Sequence, residues 1–422
     1  MKWLLLLMVA ALLNACSDDS EEPKVPSVHF EAQPCTQGFI EESAESMSGR
    51  STRTGEAAWA PEGYYLYNSD KLYEHFKEQK DLMDKSIDVF FTQNDPFTED
   101  NKNYMEGAFS FRKSTEKWTF SSDIARAGTY YLYGFIPQEV AASASVVGNS
   151  TFSEGAVLTI NGMKTVTKSD VCVIVGAIDG TESVAIGSNN PSDTYGKSLT
   201  TGQFAVHANA ATKESGTEGN NYIYLLFDHL YTSLRFSFAV HETYDAIRTI
   251  KLTKLELRAF KDDQETTAKA MYNAVIRLKA TDDDSSPIQS VTFTPIETSA
   301  DSPYEMLYEN DETGLELKRR PLTGEVVVTG DEEFGYTDFL GCFVPGETTY
   351  FRLRSTYDVL DKKGNTVRKH CVAENTIDIR NMFKIFTLDR GHMYSLKVLV
   401  QPTYLYVLSE PDMDNPTLTI TK

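Results

Sequence analysis

The chain has 422 residues, with 61 Asp and Glu against 40 Lys and Arg and a formal charge of −21, which sets its pI near 4.8. That balance argues against nucleic acid or an anionic membrane surface as a partner and otherwise serves solubility. The length is too great for one ordinary core, so two domains are expected.

At the start of the chain Lys2 supplies a positive charge and Trp3 to Leu13 form an apolar run. At about eleven residues the run is too short for the roughly 20 of a membrane-spanning helix, and it has the form of a secretion signal. It closes on Leu13, Asn14, Ala15 and Cys16, which resembles the lipobox of bacterial lipoproteins. The resemblance implies cleavage between Ala15 and Cys16, acylation of the Cys16 thiol and new amine, and attachment to the outer membrane through that lipid. Asn14 is a less usual occupant of the motif, and a signal peptide with an incidental cysteine is the plainer alternative. The acids Asp18, Asp19, Glu21 and Glu22 resemble the export tags of Bacteroidetes surface lipoproteins, or are simply a solvated tether. Residues 1–15 are therefore expected to be removed and 16–26 to form a lipidated acidic tether. No later segment is apolar enough to span a membrane.

Farther along, "SVHFEA" alternates, with Val28, Phe30 and Ala32 on one face of an expected strand. Residues 41–57 hold almost nothing to bury and are expected to be flexible. Beyond Trp59 short β segments alternate with turns: 63–68, 86–93, 108–113, 117–122, 129–137, 156–160, 221–229, 233–241, 250–260, 290–296, 325–330, 349–360, 365–373 and 392–400. Asp361 to Gly364 is expected to turn a hairpin, and helices are expected only at 70–84 and 138–144. So many short strands predict an all-β chain of β-sandwiches in tandem with few short helices. Polar stretches at 183–220 and 261–288 are the expected linker and a large loop. The boundary then falls near 215, giving an N-terminal domain over 27–215 and a C-terminal domain over 216–422. "YLYGFIP" ending at Pro137 and "FLGCFVP" ending at Pro345 are a weak echo of an internal duplication.

Signs of catalysis are few. The chain has no GxSxG, "HETYD" at 241 lacks the second histidine of HExxH, and "GKS" at 196–198 has Pro191 where a phosphate loop needs its first glycine. His29, His207, His229 and His241 lie on or beside expected strands, where packing or a hydrogen bond is the ordinary role. Apart from Cys16, the cysteines Cys35, Cys172, Cys342 and Cys371 are far apart and form no CxxC, so they are expected to be mostly buried free thiols rather than a zinc site. "EPDMDNP" lacks the glycine and terminal glutamate of an EF-hand. Paired carboxylates for glycoside hydrolysis carry no specificity among so many acids. The expectation is a non-enzyme with no cofactor and no metal.

Several segments, in this order along the chain, resemble those of Bacteroidales fimbrillins, the FimA/Mfa-type pilus lipoproteins. "YLYGFIP" resembles an aromatic strand ending in proline; "FDHLYTSLRFSFAV" (227–240) resembles a Phe-x-His followed by an alternating strand. "LTKLELRAF" and "GHMYSLKVLV" resemble the strand that follows and the closing strand. The resemblance implies two transthyretin-like β-sandwich domains, a lipoprotein precursor and pili assembled by donor-strand exchange with other subunits. It implies cleavage after an arginine of the N-terminal loop, for which Arg50 and Arg53 are candidates, with "SVHFEA" as the strand removed. In the tail, 401–422, Tyr404, Tyr406 and Leu408 share one strand face and Leu418 and Ile420 share another, making either stretch a candidate donor. Completing the protein's own second domain is the plainer role for that tail. A tail of this kind favours a stalk subunit in a fimbrium at the cell surface, supporting adhesion to a host or bacterial receptor. The alternatives are a lipid-retained surface glycan-binding lipoprotein and a fimbrial anchor.

Overall fold

The computed structural model describes residues 29–37, 40–42, 64–66, 86–93, 104–112, 117–121, 127–148, 155–179, 202–208, 220–261, 265–281, 286–325, 334–346, 348–385 and 388–401. These form strands β1 (His29–Gln37), β2 (Ile40–Glu42), β3 (Tyr64–Leu66), β4 (Ser86–Thr92), β5 (Met105–Arg112), β6 (Lys117–Phe120), β7 (Gly128–Ile136) and β8 (Ser143–Gly148). There follow β9 (Gly155–Lys164), β10 (Val166–Thr167), β11 (Cys172–Asp179), β12 (Ala205–Ala208), β13 (Asn220–His229), β14 (Thr232–Val240), β15 (Arg248–Phe260) and β16 (Met271–Lys279). The last are β17 (Ile288–Pro295), β18 (Glu305–Glu309), β19 (Leu315–Glu316), β20 (Thr337–Phe343), β21 (Tyr350–Asp361), β22 (Thr366–Asp378) and β23 (His392–Val400). Among the described residues there are two short α-helices, α1 (Glu242–Asp245) and α2 (Ile379–Phe383), and this described part is predominantly β, as expected.

The first half corrects the expected sandwich. One sheet runs β11-β13-β1-β6-β5-β4-β7, and β7 returns to β11 through Ile136–Cys172 and Phe135–Val173, so seven strands close on themselves as a barrel. Where β7 and β11 diverge, residues before and along β12 lie between them: Leu132 N–H donates to Phe204 O at 2.9 Å and Ala177 N–H to Gln203 O at 2.7 Å. Period-two alternation fills the interior with Phe30, Ile87, Val89, Phe109, Trp118 and Phe227. A closed sheet arises here because β4, β7, β11 and β13 are apolar on both faces. Their second rows, including Phe90, Phe135, Val173 and Leu226, pack outward against Leu158, Ile160, Ile276 and Leu278 of β9 and β16. Close strand approach also needs Gly134, since a Cβ there would lie 2.0 Å from the Asp88 carbonyl oxygen.

The polar stretch at 261–288 is not one large loop. Within it β16 pairs with β9 on one side and β17 on the other, because Ala274, Ile276 and Leu278 supply a buried face. In the other expected linker, 183–220, residues 205–208 form β12 against β7. The expected helix at 70–84 lies outside the described residues, and 138–144 holds a three-residue 3₁₀ turn at Gln138–Val140 followed by the start of β8 at Ser143.

In the second half two sheets face each other, β10-β20-β14-β23-β2 and β18-β15-β21-β22, with β19 alongside β15. Leu234, Phe236 and Phe238 of β14 face Leu252, Leu257 and Phe351 across the core; the three β14 side chains share a face, as their alternation predicts. The β21–β22 hairpin turns at Asp361 to Gly364, where the Asp361 carboxylate accepts from the N–H groups of Lys363 at 2.9 Å and Asn365 at 2.8 Å. Gly364 takes the left-handed φ of 84° that closes it.

Candidate functional site

The strand expected to be removable is the one that closes the barrel. β1 runs parallel to β13 from His29–Asn220 to Thr36–Phe227, and on its other edge pairs antiparallel with β6 through Glu31–Thr119 and Ala32–Trp118. Phe30 and Ala32 are buried in the interior, as their alternation predicts, with Phe30 1% exposed. The Phe30 ring meets Phe120 edge-on with centroids 6.4 Å apart and Tyr130 edge-on at 5.9 Å. Pro34, which has no N–H for a ladder, falls between the residues paired to β6 and those paired to β3, which begin at Cys35. The chain then passes to the second half, where β2 lies parallel to β23 through Ile40–His392 to Glu42–Tyr394. One N-terminal segment thus pairs with both halves.

The other expected site residues, Ala15, Cys16, Arg50, Arg53, Tyr404, Tyr406, Leu408, Leu418 and Ile420, lie outside the described residues. Among the described residues no helix is long and apolar enough to cross a membrane.

A second concentration of chemistry lies where the chain crosses between the halves. One crossing runs from β10, in the second half, through Asp170 to β11 in the barrel; another runs from His229, the last residue of β13, into β14. Cys172 and His229 are cross-strand partners. They continue the inward rows that hold Ile174 on β11 and Phe227 on β13, so both reach the end of the barrel interior. There His229 Nδ1 lies 2.5 Å from Asp170 Oδ2 and 3.6 Å from Cys172 Sγ, while the Cys172 thiol donates to Asp170 Oδ2 at 3.0 Å.

Neighbouring contacts fix this group. Arg390, on the loop before β23, binds the Asp228 carboxylate and donates to His229 O at 3.1 Å. Gly391 N–H donates to Tyr231 O at 2.8 Å. The Gly391 φ of +72° favours glycine at that position. The Tyr231 hydroxyl donates to Lys164 O at 2.5 Å, and Ser233 Oγ lies 3.2 Å from Cys342 Sγ. Burial pushes the Tyr231 phenol and the Cys342 thiol well above their ordinary pKa values, so both are neutral.

Cys172, Cys342 and Cys371 are buried thiols outside any disulfide, as expected. His229 and His241 take hydrogen-bonding roles, His241 as the cap that accepts from Thr243 N–H at 3.3 Å. What the sequence reading missed was Asp170 and its meeting with Cys172 and His229. The available signal was an acid two residues before a buried cysteine, which by itself has no meaning until β11 and β13 are paired.

No family model and no curated protein matches the chain. Solved structures that resemble it include a candidate cell adhesion protein from Bacteroides fragilis, 12% identical over 88% of this chain and 93% of that one, with a TM-score of 0.38. A fimbrial protein from Bacteroides vulgatus is 11% identical over 78% of this chain and 91% of that one, with a TM-score of 0.28. The fimbrial anchor protein Mfa2 from Porphyromonas gingivalis is 8% identical over 89% of this chain and 92% of that one, with a TM-score of 0.22. Likenesses this distant assign no activity by themselves.

Proposed function

We propose that the chain is a structural subunit of a cell-surface pilus, exported as a lipoprotein on Cys16 and assembled by exchange of its first strand for a strand of a neighbouring subunit. The observation that carries this reading is the place of β1. It is the strand nearest the N-terminus among those described, it joins β13 to β6, and both Arg50 and Arg53 follow it in sequence. A cut after either arginine detaches β1 and β2 together. It leaves an open edge on β13 and a trough beside Phe120, Tyr130 and Phe227, and an open edge with an apolar trough is what an added strand recognises. The tail, through Tyr404, Tyr406 and Leu408 or through Leu418 and Ile420, is the proposed donor. In this reading the facing sheets of the second half correspond to the transthyretin-like sandwich implied by the sequence resemblance. The fimbrium sits outside the outer membrane and supports adhesion.

Mass spectrometry of the mature protein taken from cells tests it. An N-terminus at Ser51 or Thr54 in the polymerised form is expected. A polymer whose subunits keep an acylated Cys16 and the β1 segment would overturn strand exchange at this site and favour a retained anchor or binder.

A further inference from the structure

We propose that Asp170, Cys172 and His229 form a buried site for one divalent transition-metal ion, Zn²⁺ being the best match, at the crossing between the barrel and the second half. The three donor atoms lie within 4.8 Å of one another, and each residue is 1% exposed. Imidazole nitrogen, carboxylate oxygen and thiolate sulfur are together the donor set of zinc rather than of magnesium or calcium.

Two features favour a cation over a hydrogen-bonded triad alone. First, Asp170 Oδ1 is buried without a hydrogen-bond partner, and a buried carboxylate oxygen left this way is costly. A bidentate Asp170 turns that orphan into a ligand, so Oδ1, Oδ2, Sγ and Nδ1 make four donors. Second, charge balances: one carboxylate and one thiolate neutralise one dication in a place that excludes water. On binding, the Cys172 thiol loses its proton to solvent. A neutral His229 frees Nδ1 for the metal and carries its ring proton on Nε2, so one proton is released per ion.

The spacing is near what the ion requires. Zinc with bonds of about 2.0 to 2.3 Å holds donors from different residues roughly 3.3 to 3.6 Å apart, a bidentate carboxylate sharing one corner of the tetrahedron. The Cys172–His229 separation of 3.6 Å already fits. The Asp170 Oδ2 separations of 2.5 Å from His229 and 3.0 Å from Cys172 must both open, by rotation of the Asp170 carboxylate out of its hydrogen bonds. Because Asp170 and His229 stand on two different chain crossings, the ion would fasten both crossings at one point. Its role is structural, since the site is closed to substrate.

The test uses the full-length protein, equilibrated with Zn²⁺ and then dialysed against metal-free buffer, and in parallel loaded with Co²⁺. About one zinc per chain is expected, with a thiolate-to-cobalt charge-transfer absorption in the Co²⁺ protein. Cys172→Ser should abolish that absorption and cut zinc retention by about tenfold or more, while Cys342→Ser and Cys371→Ser leave both unchanged. A chelator should lower the melting temperature of the parent protein and not that of Cys172→Ser. Should Cys172→Ser fail to fold, the cobalt spectrum of the parent and of the other two variants still decides. Absence of retained zinc and of the cobalt band in the parent protein overturns the proposal, as does full retention in Cys172→Ser.

Discussion

The barrel and the layered second half solve the edge problem of β-sheets in opposite ways. The barrel has no free edge between β13 and β6 because β1 fills the gap, and closure removes the template for pairing with other chains. Its continuity nevertheless depends on the first of the described strands, which pairs parallel with β13 and has no hairpin to either neighbour. Among the described residues, the second half keeps an open edge on β22, the last strand of its sheet. That edge is guarded locally: residues 366–370 are all exposed, include Arg368 and Lys369, and end in a backbone kink at His370 with φ 53°. Among the described residues, one half is closed by the very strand proposed for removal, whereas the other keeps an edge that is made unattractive.

Core truncations in the two halves sharpen this contrast most. Phe30→Ala and Phe236→Ala each remove a fully buried ring, and each should cost about 3 to 5 kcal/mol in the intact chain. After cleavage at Arg50 or Arg53 the two should part company: Phe236→Ala keeps its cost, while Phe30→Ala has no effect because the residue is gone. Urea unfolding of intact and cleaved protein measures both. An unaltered Phe30→Ala penalty after cleavage would mean that β1 stays bound, and the barrel would not open in the way described.

How much of this was legible depended on whether a strand had one wet face. β14 alternates Leu234, Phe236 and Phe238 with Arg235 and Ser237, and its position and inward face were readable from that alone. The closing strand at 392–400 was likewise read to the residue. β11 was invisible because "CVIVGA" is buried throughout and so shows no period. β16 was lost for a different reason: its buried residues alternate, but acids on both sides (Asp262 and Asp263, Asp282 to Asp284) made the whole stretch read as a loop. Missing β11 hid barrel closure, and with it the Asp170–Cys172–His229 cluster, since strand pairing alone brings Cys172 to His229. The N-terminal strand was legible from Phe30 and Ala32, but its parallel pairing with a segment nearly 200 residues away left no local trace.

Charge separates the halves in the opposite sense at low and high pH. In the barrel, Asp88 stands on β4 beside the strand that carries Glu106, and its pKa is raised to about 6, mainly by burial and then by the Glu106 charge. The native state therefore holds this proton more tightly than the unfolded chain. The stabilisation is fully present below about pH 4 and is lost as pH rises through about 6. The full shift corresponds to roughly 3 kcal/mol, and partial exposure reduces the expected effect to about 1 kcal/mol. Asp88→Asn should accordingly stabilise the protein by about 1 kcal/mol at neutral pH and change little in acid. A variant that stabilises equally at both ends of that range would show that removal of the charge is not the cause.

In the second half, Glu242 at the start of α1 shows the reverse behaviour. Its two carboxylate oxygens accept from Arg320 Nε at 2.7 Å and Nη2 at 3.0 Å, and this pairing is the main reason its pKa is lowered to about 2. The pair ties the helix to the segment after β19, beside the backbone exchange of Val240 N–H with Lys318 O and Arg320 N–H with Val240 O. Because the native state holds this proton less tightly, the stabilisation is present above about pH 4.5 and disappears as pH falls toward 2. Both side chains keep about a third of their exposure, so solvent screening limits the contribution to about 1 kcal/mol or less. Arg320→Ala should lower the unfolding free energy by that amount at neutral pH, and the difference from the parent should shrink as the solution is acidified. The pair of variants then gives opposite slopes: the Asp88→Asn gain grows with pH while the Arg320→Ala loss grows with pH. Urea denaturation at neutral pH and near pH 3 reads both. If the Arg320→Ala penalty is as large in acid as at neutral pH, Arg320 acts through its packing against α1 and not through the charge on Glu242.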